Sequence, residues 1–293
     1  MDRPVIIDAH VHLWKEQDGR VENRPVKPIN NGKVDFGGEI RQMMPAYMTD
    51  NRNTAERLLA NMDYAGVNAA VVTQEYIDGN QDSYLLKVRK KYPDRFRVAA
   101  LYEENDNFRL DGFDGLKICA SRLENKDLKM LLPVFKKAEE HGKYISIDMA
   151  DGDLQVNDLK YLINECPDIK IAIGHFGMVT TKGWQEQIKL ATNKNVYIES
   201  GGLTWLFHKD FYPYPSAVDA IVEAKGICGI EKLMWGSDYP RTMTDITYIM
   251  ATRFILETDK LSDSEKIKFL GENAVSFYGF DKFKPLPSID NML

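Results

Sequence analysis

Short β-rich runs alternate with helical patterns along almost the whole chain, and this alternation constrains the fold more than any other feature. The runs are rich in Val and Ile, and most are followed by a segment with apolar residues at helical spacing. Strands separated by helices pair in parallel through right-handed crossovers. Eight such units in 293 residues fit a closed (β/α)8 barrel of the TIM type, an α/β fold of about 250 residues. The predicted strands are 5–11, 69–73, 96–101, 113–119, 144–149, 169–174, 196–200 and 232–235.

The predicted organisation is one barrel domain over residues 1–293, with three departures from a plain barrel. A long, irregular loop follows the first strand at about 14–53, and its Met43, Met44, Tyr47 and Met48 favour a lid. The third helix, at 103–111, is short, acidic and rich in Asn, and a loop is the alternative there. Additional helices are expected at about 263–279. An open doubly wound sheet is the alternative fold, but it would normally place a glycine-rich turn after the first strand.

The composition excludes several classes of protein. The chain is 44% hydrophobic and 28% charged, as expected for a soluble globular protein. Its net charge of -6 argues against binding to nucleic acid or anionic lipid. No apolar run is long enough to span a bilayer. Three dispersed cysteines and the absence of a leader pattern favour a cytoplasmic protein whose partner is a small molecule, and a homo-oligomer is compatible with the sequence.

Chemistry-bearing side chains follow three of the predicted strands. His10 and His12 end the first strand, and the alternation of side chains places them on one face, about 7 Å apart along the chain. His175 follows the sixth strand and Asp238 the eighth. Because active sites of such barrels lie at the carboxyl ends of the strands, we expect these four residues to meet at one mouth.

Two kinds of chemistry suit this set. Imidazoles and a carboxylate are ligands for a divalent ion such as zinc, which lowers the pKa of bound water. Without a metal, the same groups can hold a carbonyl oxygen while Asp238 acts as a general base. Both arrangements serve attack of water on a carbonyl.

Four motifs resemble the amidohydrolase superfamily, and in particular its amidohydrolase 2, or amidohydrolase-related, branch. They are Asp8-Ala9-His10-Val11-His12-Leu13-Trp14, Gly174-His175-Phe176-Gly177, Trp235-Gly236-Ser237-Asp238-Tyr239-Pro240, and the late Gly271-to-Gly279 segment. The resemblance covers essentially the whole chain and implies a TIM-type barrel. It implies that His10, His12 and Asp238 are metal ligands, that His175 positions the substrate, and that Asp238 also transfers protons.

Two positions depart from the pattern of metal-dependent members of that branch. These members carry a histidine at the end of strand five, where this chain has Asp148. Either Asp148 replaces it as a ligand or the site works without metal, as is thought of some lactonase-like members. Lys117 lies on the strand where other members carry a metal-bridging lysine, but pairing with an inward acid, Asp148 or Glu199, is favoured here.

The resemblance implies water attack on a small lactone or similar ester, with Asp238 activating water and the three histidines holding the carbonyl or a metal. A metal-dependent decarboxylase of an unsaturated or aromatic acid is the alternative, and a non-catalytic binding barrel is the second alternative. The predicted substrate-binding residues are Tyr47, Trp205, Tyr239 and Arg241.

Overall fold

The computed structural model describes residues 4–22, 24–104 and 108–289. Among these residues the strands are β1 (Ile7–His12), β2 (Gly19–Val21), β3 (Arg24–Pro28), β4 (Lys33–Phe36), β5 (Ile40–Gln42), β6 (Ala69–Thr73), β7 (Phe96–Leu101), β8 (Gly115–Cys119), β9 (Tyr144–Asp148), β10 (Ile171–Ile173), β11 (Val196–Glu199) and β12 (Leu233–Met234). The α-helices are α1 (Ala55–Ala65), α2 (Asp82–Lys91), α3 (Leu132–Glu140), α4 (Val156–Glu165), α5 (Trp184–Lys189), α6 (Leu203–Leu206), α7 (Pro215–Cys228), α8 (Met250–Glu257), α9 (Asp263–Ile267) and α10 (Asn273–Tyr278).

An eight-stranded parallel sheet forms the centre of the described chain, in the order β1-β6-β7-β8-β9-β10-β11-β12. The connection after β12 completes the barrel against β1: the Ala9 amide donates to the Trp235 carbonyl at 2.9 Å, and the Asp238 amide donates to the His10 carbonyl at 2.9 Å. The predicted (β/α)8 barrel is therefore confirmed, and the open sheet is not the fold of this chain. All eight predicted strands overlap an observed one.

The helices agree less closely with the sequence-based expectation. Helix α8 begins only at Met250, after a 3-10 turn at Arg241–Thr244 and a bend. The short α6 was not predicted. The predicted third helix at 103–111 includes residues 105–107, which lie outside the described residues, and its described part contains no helix. The predicted C-terminal helices correspond to α9 and α10, joined by a π-helical turn.

The segment between β1 and α1 is not the irregular loop that was predicted. Strands β2 to β5 pair in order as an antiparallel sheet. Beneath it lies a small core of its own, which includes Met44 and Met48. Trp14 and Asn53, at the two ends of the segment, exchange backbone hydrogen bonds of 2.8 and 3.1 Å. The segment is thus a small sheet that leaves and re-enters the barrel at one point.

The C-terminal segment fills the end of the barrel at which the strands begin. Phe277, Tyr278 and Phe280 are buried against Tyr144 and small residues of the inner strand faces. Arg97, on β7, donates to the Gly279 carbonyl at 2.7 Å and stacks on the Phe280 ring at 4.3 Å. Within the described residues, no helix combines the length and apolar character needed to cross a membrane.

Candidate metal centre and active site

The two histidines of β1 face each other at the carboxyl end of the barrel. His10 and His12 are 1% and 2% exposed, and their Nε2 atoms lie 3.1 Å apart. The Nδ1 of His10 is 2.6 Å from a Glu199 carboxylate oxygen, which fixes the ring proton on Nδ1 and leaves Nε2 with a lone pair. Burial lowers the pKa of His10, so this ring is neutral. Two nitrogens at this distance need a hydrogen atom or a cation between them, either the Nε2 hydrogen of His12 or a metal ion.

Asp238 completes this group from the loop after β12. Its Oδ1 lies 3.0 Å from the Nε2 of His12 and 3.8 Å from the Nε2 of His10, and it has no hydrogen bond of good geometry. Its Oδ2 accepts a hydrogen bond from the Trp205 indole at 2.7 Å. Burial by itself raises the pKa of Asp238. His12 and the Arg241 guanidinium outweigh burial and lower the pKa below its usual value, so the carboxyl is ionised.

These three residues fit one divalent cation. The Nε2 atoms of His10 and His12 and a carboxylate oxygen of Asp238 all lie within 4.8 Å of one another. Two imidazoles and one carboxylate form a ligand set that Zn²⁺ and similar ions accept. The remaining ring nitrogens face acids, Glu199 at 2.6 Å and Asp78 at 3.3 Å, and such acids orient metal-binding histidines. The buried, unpaired Oδ1 of Asp238 is the observation that most favours a metal ion here.

His175 lies beside this group at the end of β10. Its ring centre is 4.7 Å from that of His10. Both ring nitrogens face acceptors, since Nδ1 is 2.9 Å from the Gly201 carbonyl and Nε2 is 3.5 Å from an oxygen of Asp148. Burial lowers the pKa of His175, but the charge of Asp148 outweighs it and raises the pKa to about 10. His175 is therefore an imidazolium at neutral pH.

Asp148 ends β9, the fifth strand of the barrel, and forms a buried ion pair there. Lys117, on β8, is fully buried, and its Nζ lies 2.5 Å from Asp148 Oδ1. The prediction that Lys117 pairs with an inward acid is confirmed, with Asp148 as the partner. Burial raises the pKa of Asp148, but Lys117 and His175 hold it well below its usual range. Asp148 is consequently ionised between two cations of the protein.

A cavity of about 390 Å³ at the mouth of the barrel is bordered by His12, Asp148, His175 and Asp238. Of the predicted substrate-binding residues, Trp205 and Arg241 line it. Tyr47 and Tyr239 instead line a separate cavity of about 350 Å³ next to α1. The backbone at Asp238 has φ of +59°, and this conformation is associated with Tyr239 lying away from the site while Asp238 faces it. The β2–β5 sheet contributes Phe36, Arg41 and other residues to the wall of the first cavity.

A family model described as amidohydrolase matches residues 7–280. The chain belongs to the amidohydrolase family. The match includes each of the histidines and acids described above. A comparison with curated protein sequences found no match.

Solved structures similar to this amidohydrolase share its barrel. A Pseudomonas putida protein provisionally described as a 2-pyrone-4,6-dicarboxylic acid hydrolase has a TM-score of 0.68 and 18% identity, covering 96% of this chain and 99% of that chain. A zinc-bound amidohydrolase from Burkholderia multivorans has a TM-score of 0.67 and 14% identity, covering 94% and 99%. The manganese-bound 5-carboxyvanillate decarboxylase of Novosphingobium aromaticivorans has a TM-score of 0.58 and 19% identity, covering 77% and 80%. At these identities the similarity establishes the fold alone.

Asp78 is the residue of this amidohydrolase site that the sequence analysis missed. It is buried in the connection after β6, accepts a hydrogen bond from Arg241 at 2.9 Å, and faces His12. Its only signal in the sequence is a position shortly after a predicted strand. Arg241, proposed from the sequence to meet substrate, is thus partly engaged by Asp78.

Proposed function

We propose that this amidohydrolase hydrolyses a small, polar lactone or a similar ester. The observation that carries the proposal is the juxtaposition of an ionised carboxylate, Asp238, with a cationic histidine, His175, at one cavity. Attack of water on a carbonyl needs an acceptor for the proton of water and a donor for the developing oxyanion. Asp238 Oδ1, which has no protein hydrogen bond, suits the first role, and His175 suits the second.

In this mechanism the water oxygen bonds to the carbonyl carbon while Asp238 accepts a water proton. The ring carbon–oxygen bond then breaks, and the leaving oxygen takes up a proton to give a hydroxy acid. The Trp205 indole holds Asp238 Oδ2, so that Oδ1 keeps its direction. A divalent ion held by His10, His12 and Asp238 would supply polarisation of the carbonyl and a lower pKa of water.

The charges around the cavity favour an uncharged substrate. The arginines that line it are each paired with an acid: Arg24 with Glu22, Arg41 with Glu39, Arg122 with Glu75 and Arg241 with Asp78. The two less exposed of these pairs are those of Arg122 and Arg241. A carboxylate on the substrate would have to compete with these acids. A neutral, hydroxyl-bearing lactone can instead accept and donate hydrogen bonds among them.

A lactone panel tests the proposal. Neutral sugar lactones and carboxylated lactones are offered to the zinc-loaded or manganese-loaded protein, and acid release is followed by pH-stat. The neutral lactones should be hydrolysed, and Asp238→Asn should lower kcat/KM by about 10²–10⁴-fold, the range for loss of a general base. Asp245→Asn, at an exposed position on the same segment, is the matched control and should retain activity.

Two results would contradict the proposal. Full activity of Asp238→Asn would show that Asp238 is not the general base. Release of CO2 from unsaturated or aromatic acids, with no lactone turned over, would favour the decarboxylase alternative.

A further inference from the structure

Among the described residues, two sets of side chains could each hold a metal ion, and both sets include His10. One set is His10, His12 and Asp238, and the other is His10, Asp148 and His175. His10 has only Nε2 to give, because its Nδ1 is engaged with Glu199. One imidazole nitrogen binds one ion. If His10, His12 and Asp238 hold one ion, a second ion would have only Asp148 and His175 as ligands from this group.

The Asp148 side is already neutralised by the protein. Lys117 Nζ lies 2.5 Å from Asp148 Oδ1, and His175 Nε2 lies 3.5 Å from Oδ2. Each oxygen of the carboxylate thus faces a cation. Lys117 is fully buried against this carboxylate, and a lysine ammonium is charged at neutral pH. The ammonium group is therefore a permanent charge on the carboxylate oxygen that a metal would use.

The other set is richer in acids. Asp238 Oδ1 has no hydrogen bond of good geometry, although Arg241 lies 3.9 Å from it, and the neighbouring Glu199 and Asp78 stand behind the two histidines. A divalent ion there gains a free carboxylate oxygen. A divalent ion at Asp148 would instead lie close to the Lys117 ammonium, whose repulsion is strong in a buried site, and would need His175 as a neutral ligand.

We propose that Lys117 is a built-in cation that restricts this protein to a single divalent ion, bound by His10, His12 and Asp238. Lys117 is a positioning residue in this arrangement, since it acts through Asp148. Its removal leaves Asp148 and His175 free to bind a second ion. This inference goes beyond lactone hydrolysis, because it concerns the number of metal ions and holds for any reaction at this site.

Metal stoichiometry tests the inference without using activity. Protein stripped with chelator is equilibrated with excess Mn²⁺, desalted, and analysed for manganese per folded chain, with EPR reporting whether bound ions are magnetically coupled. The wild type should bind one ion with an uncoupled spectrum. Lys117→Met, which keeps the length of the side chain without its charge, should bind two ions with a coupled spectrum.

Three variants complete the test. Lys117→Gln can still donate a hydrogen bond to Asp148 and serves if Lys117→Met does not fold; it should also bind two ions. The double change Lys117→Met with Asp148→Leu removes the second site and should return to one. Lys143→Met, at a half-buried lysine that donates to the Phe113 carbonyl, is the matched control and should bind one.

Two ions in the wild type, or none, would overturn the inference. So would one ion in a folded Lys117→Met or Lys117→Gln protein.

Discussion

Gly174 separates two carboxylates at the centre of the site. A Cβ atom at this position would lie 2.0 Å from Asp148 Oδ1 and 2.8 Å from Glu199 Oε1. Neither acid can withdraw without cost, because Asp148 is held by Lys117 and Glu199 by His10. The tight packing of these groups therefore depends on a hydrogen atom at residue 174.

We expect Gly174→Ala to lower the free energy of unfolding by about 1–3 kcal/mol, the usual cost of overpacking a buried site, and to weaken Zn²⁺ binding through displacement of Glu199. Urea unfolding and a zinc titration measure the two effects. Gly226→Ala is the control: it lies exposed in α7 with no atom within 4 Å of the added Cβ, and it should raise stability by about 0.5–1 kcal/mol. Unchanged stability and zinc affinity of Gly174→Ala would contradict this account.

Asp8 is a buried acid next to the site that does not face the cavity. Its Oδ1 accepts hydrogen bonds from the backbone amides of His10 and Ser237, and its Oδ2 accepts from the hydroxyls of Ser237 and Tyr248. Burial raises the pKa of Asp8 from 3.8 to about 7, against the effect of these bonds. Between these values the folded protein holds a proton that the unfolded chain has lost. Its contribution to stability is complete below pH 3.8 and is lost as the pH rises through 7.

Asp8→Asn should remove this loss. The amide oxygen can accept both backbone bonds, and the amide nitrogen can donate to the two hydroxyls, which accept as readily as they donate. Measured by urea unfolding of metal-free protein at pH 5 and pH 8, the variant should gain stability relative to wild type at the higher pH. Parallel pH dependence of the two proteins would show that Asp8 is already ionised throughout.

The central residues of the site could be predicted from the sequence because each lies at, or a few residues after, the carboxyl end of a strand. His10, His12, His175 and Asp238 needed only the barrel to be brought together. Asp78 could not be found in this way, because its role depends on the direction of a loop. The backbone of His175 and Asp238, with φ of +51° and +59°, is likewise unmarked by residue type, since non-glycine residues seldom adopt it.

At the level of elements, the β2–β5 sheet is the largest feature that the sequence analysis missed. Its strands are three to five residues long, and β3 and β4 each bury a single side chain, Val26 and Val34. So short a pattern shows little alternation. The turns were the available signal: Asn31-Gly32 and Gly37-Gly38 all have positive φ, the conformation that hairpin turns of two or three residues use.

Val34→Ala should loosen this sheet without unfolding the barrel. Val34 is fully buried against the small core beneath the sheet, and truncation of such a side chain costs about 1–3 kcal/mol. We expect faster tryptic cleavage after Arg20 and Arg41, which lie on β2 and β5, and a higher KM, with metal content unchanged. Ile40→Ala, at a position 63% exposed on the same sheet, should show neither effect. Loss of metal from Val34→Ala would mean that the sheet supports the metal centre directly.

Over the whole molecule, the two ends of the barrel have different tasks. The carboxyl ends of the strands carry the histidines and acids of the site, whereas aromatic side chains of the C-terminal segment fill the end at which the strands begin. Eight strand–helix units were sufficient to predict this architecture. The contacts that close this end were not predictable, because they join residues far apart in sequence, such as Arg97 and Gly279, which are separated by 182 positions.

Phe277→Ala should therefore change stability and leave the chemistry alone. Phe277 packs against Tyr144 and Tyr197, and loss of a buried phenyl ring costs about 3–5 kcal/mol. Thermal unfolding should shift downward, while Mn²⁺ stoichiometry and kcat per folded molecule stay at wild-type values. Ser276→Ala, on the exposed side of the same helix, is the matched control. A fall in metal binding by the folded variant would show that the two ends are coupled.

The backbone pairing of Trp14 with Asn53 has a consequence for how this protein can change over evolution. To the barrel, the whole intervening sheet is equivalent to a two-residue turn, because it departs and returns at adjacent points. Insertions, deletions or replacement of the sheet by another cassette need not shift β1 or α1. The Asn53 side chain also donates a hydrogen bond to the His12 carbonyl at 2.5 Å. The point where the sheet joins the barrel is therefore fixed relative to His12. Exchange of the sheet would thus change one wall of the cavity, and with it the substrates that fit, while the histidines and acids of the barrel stay in place.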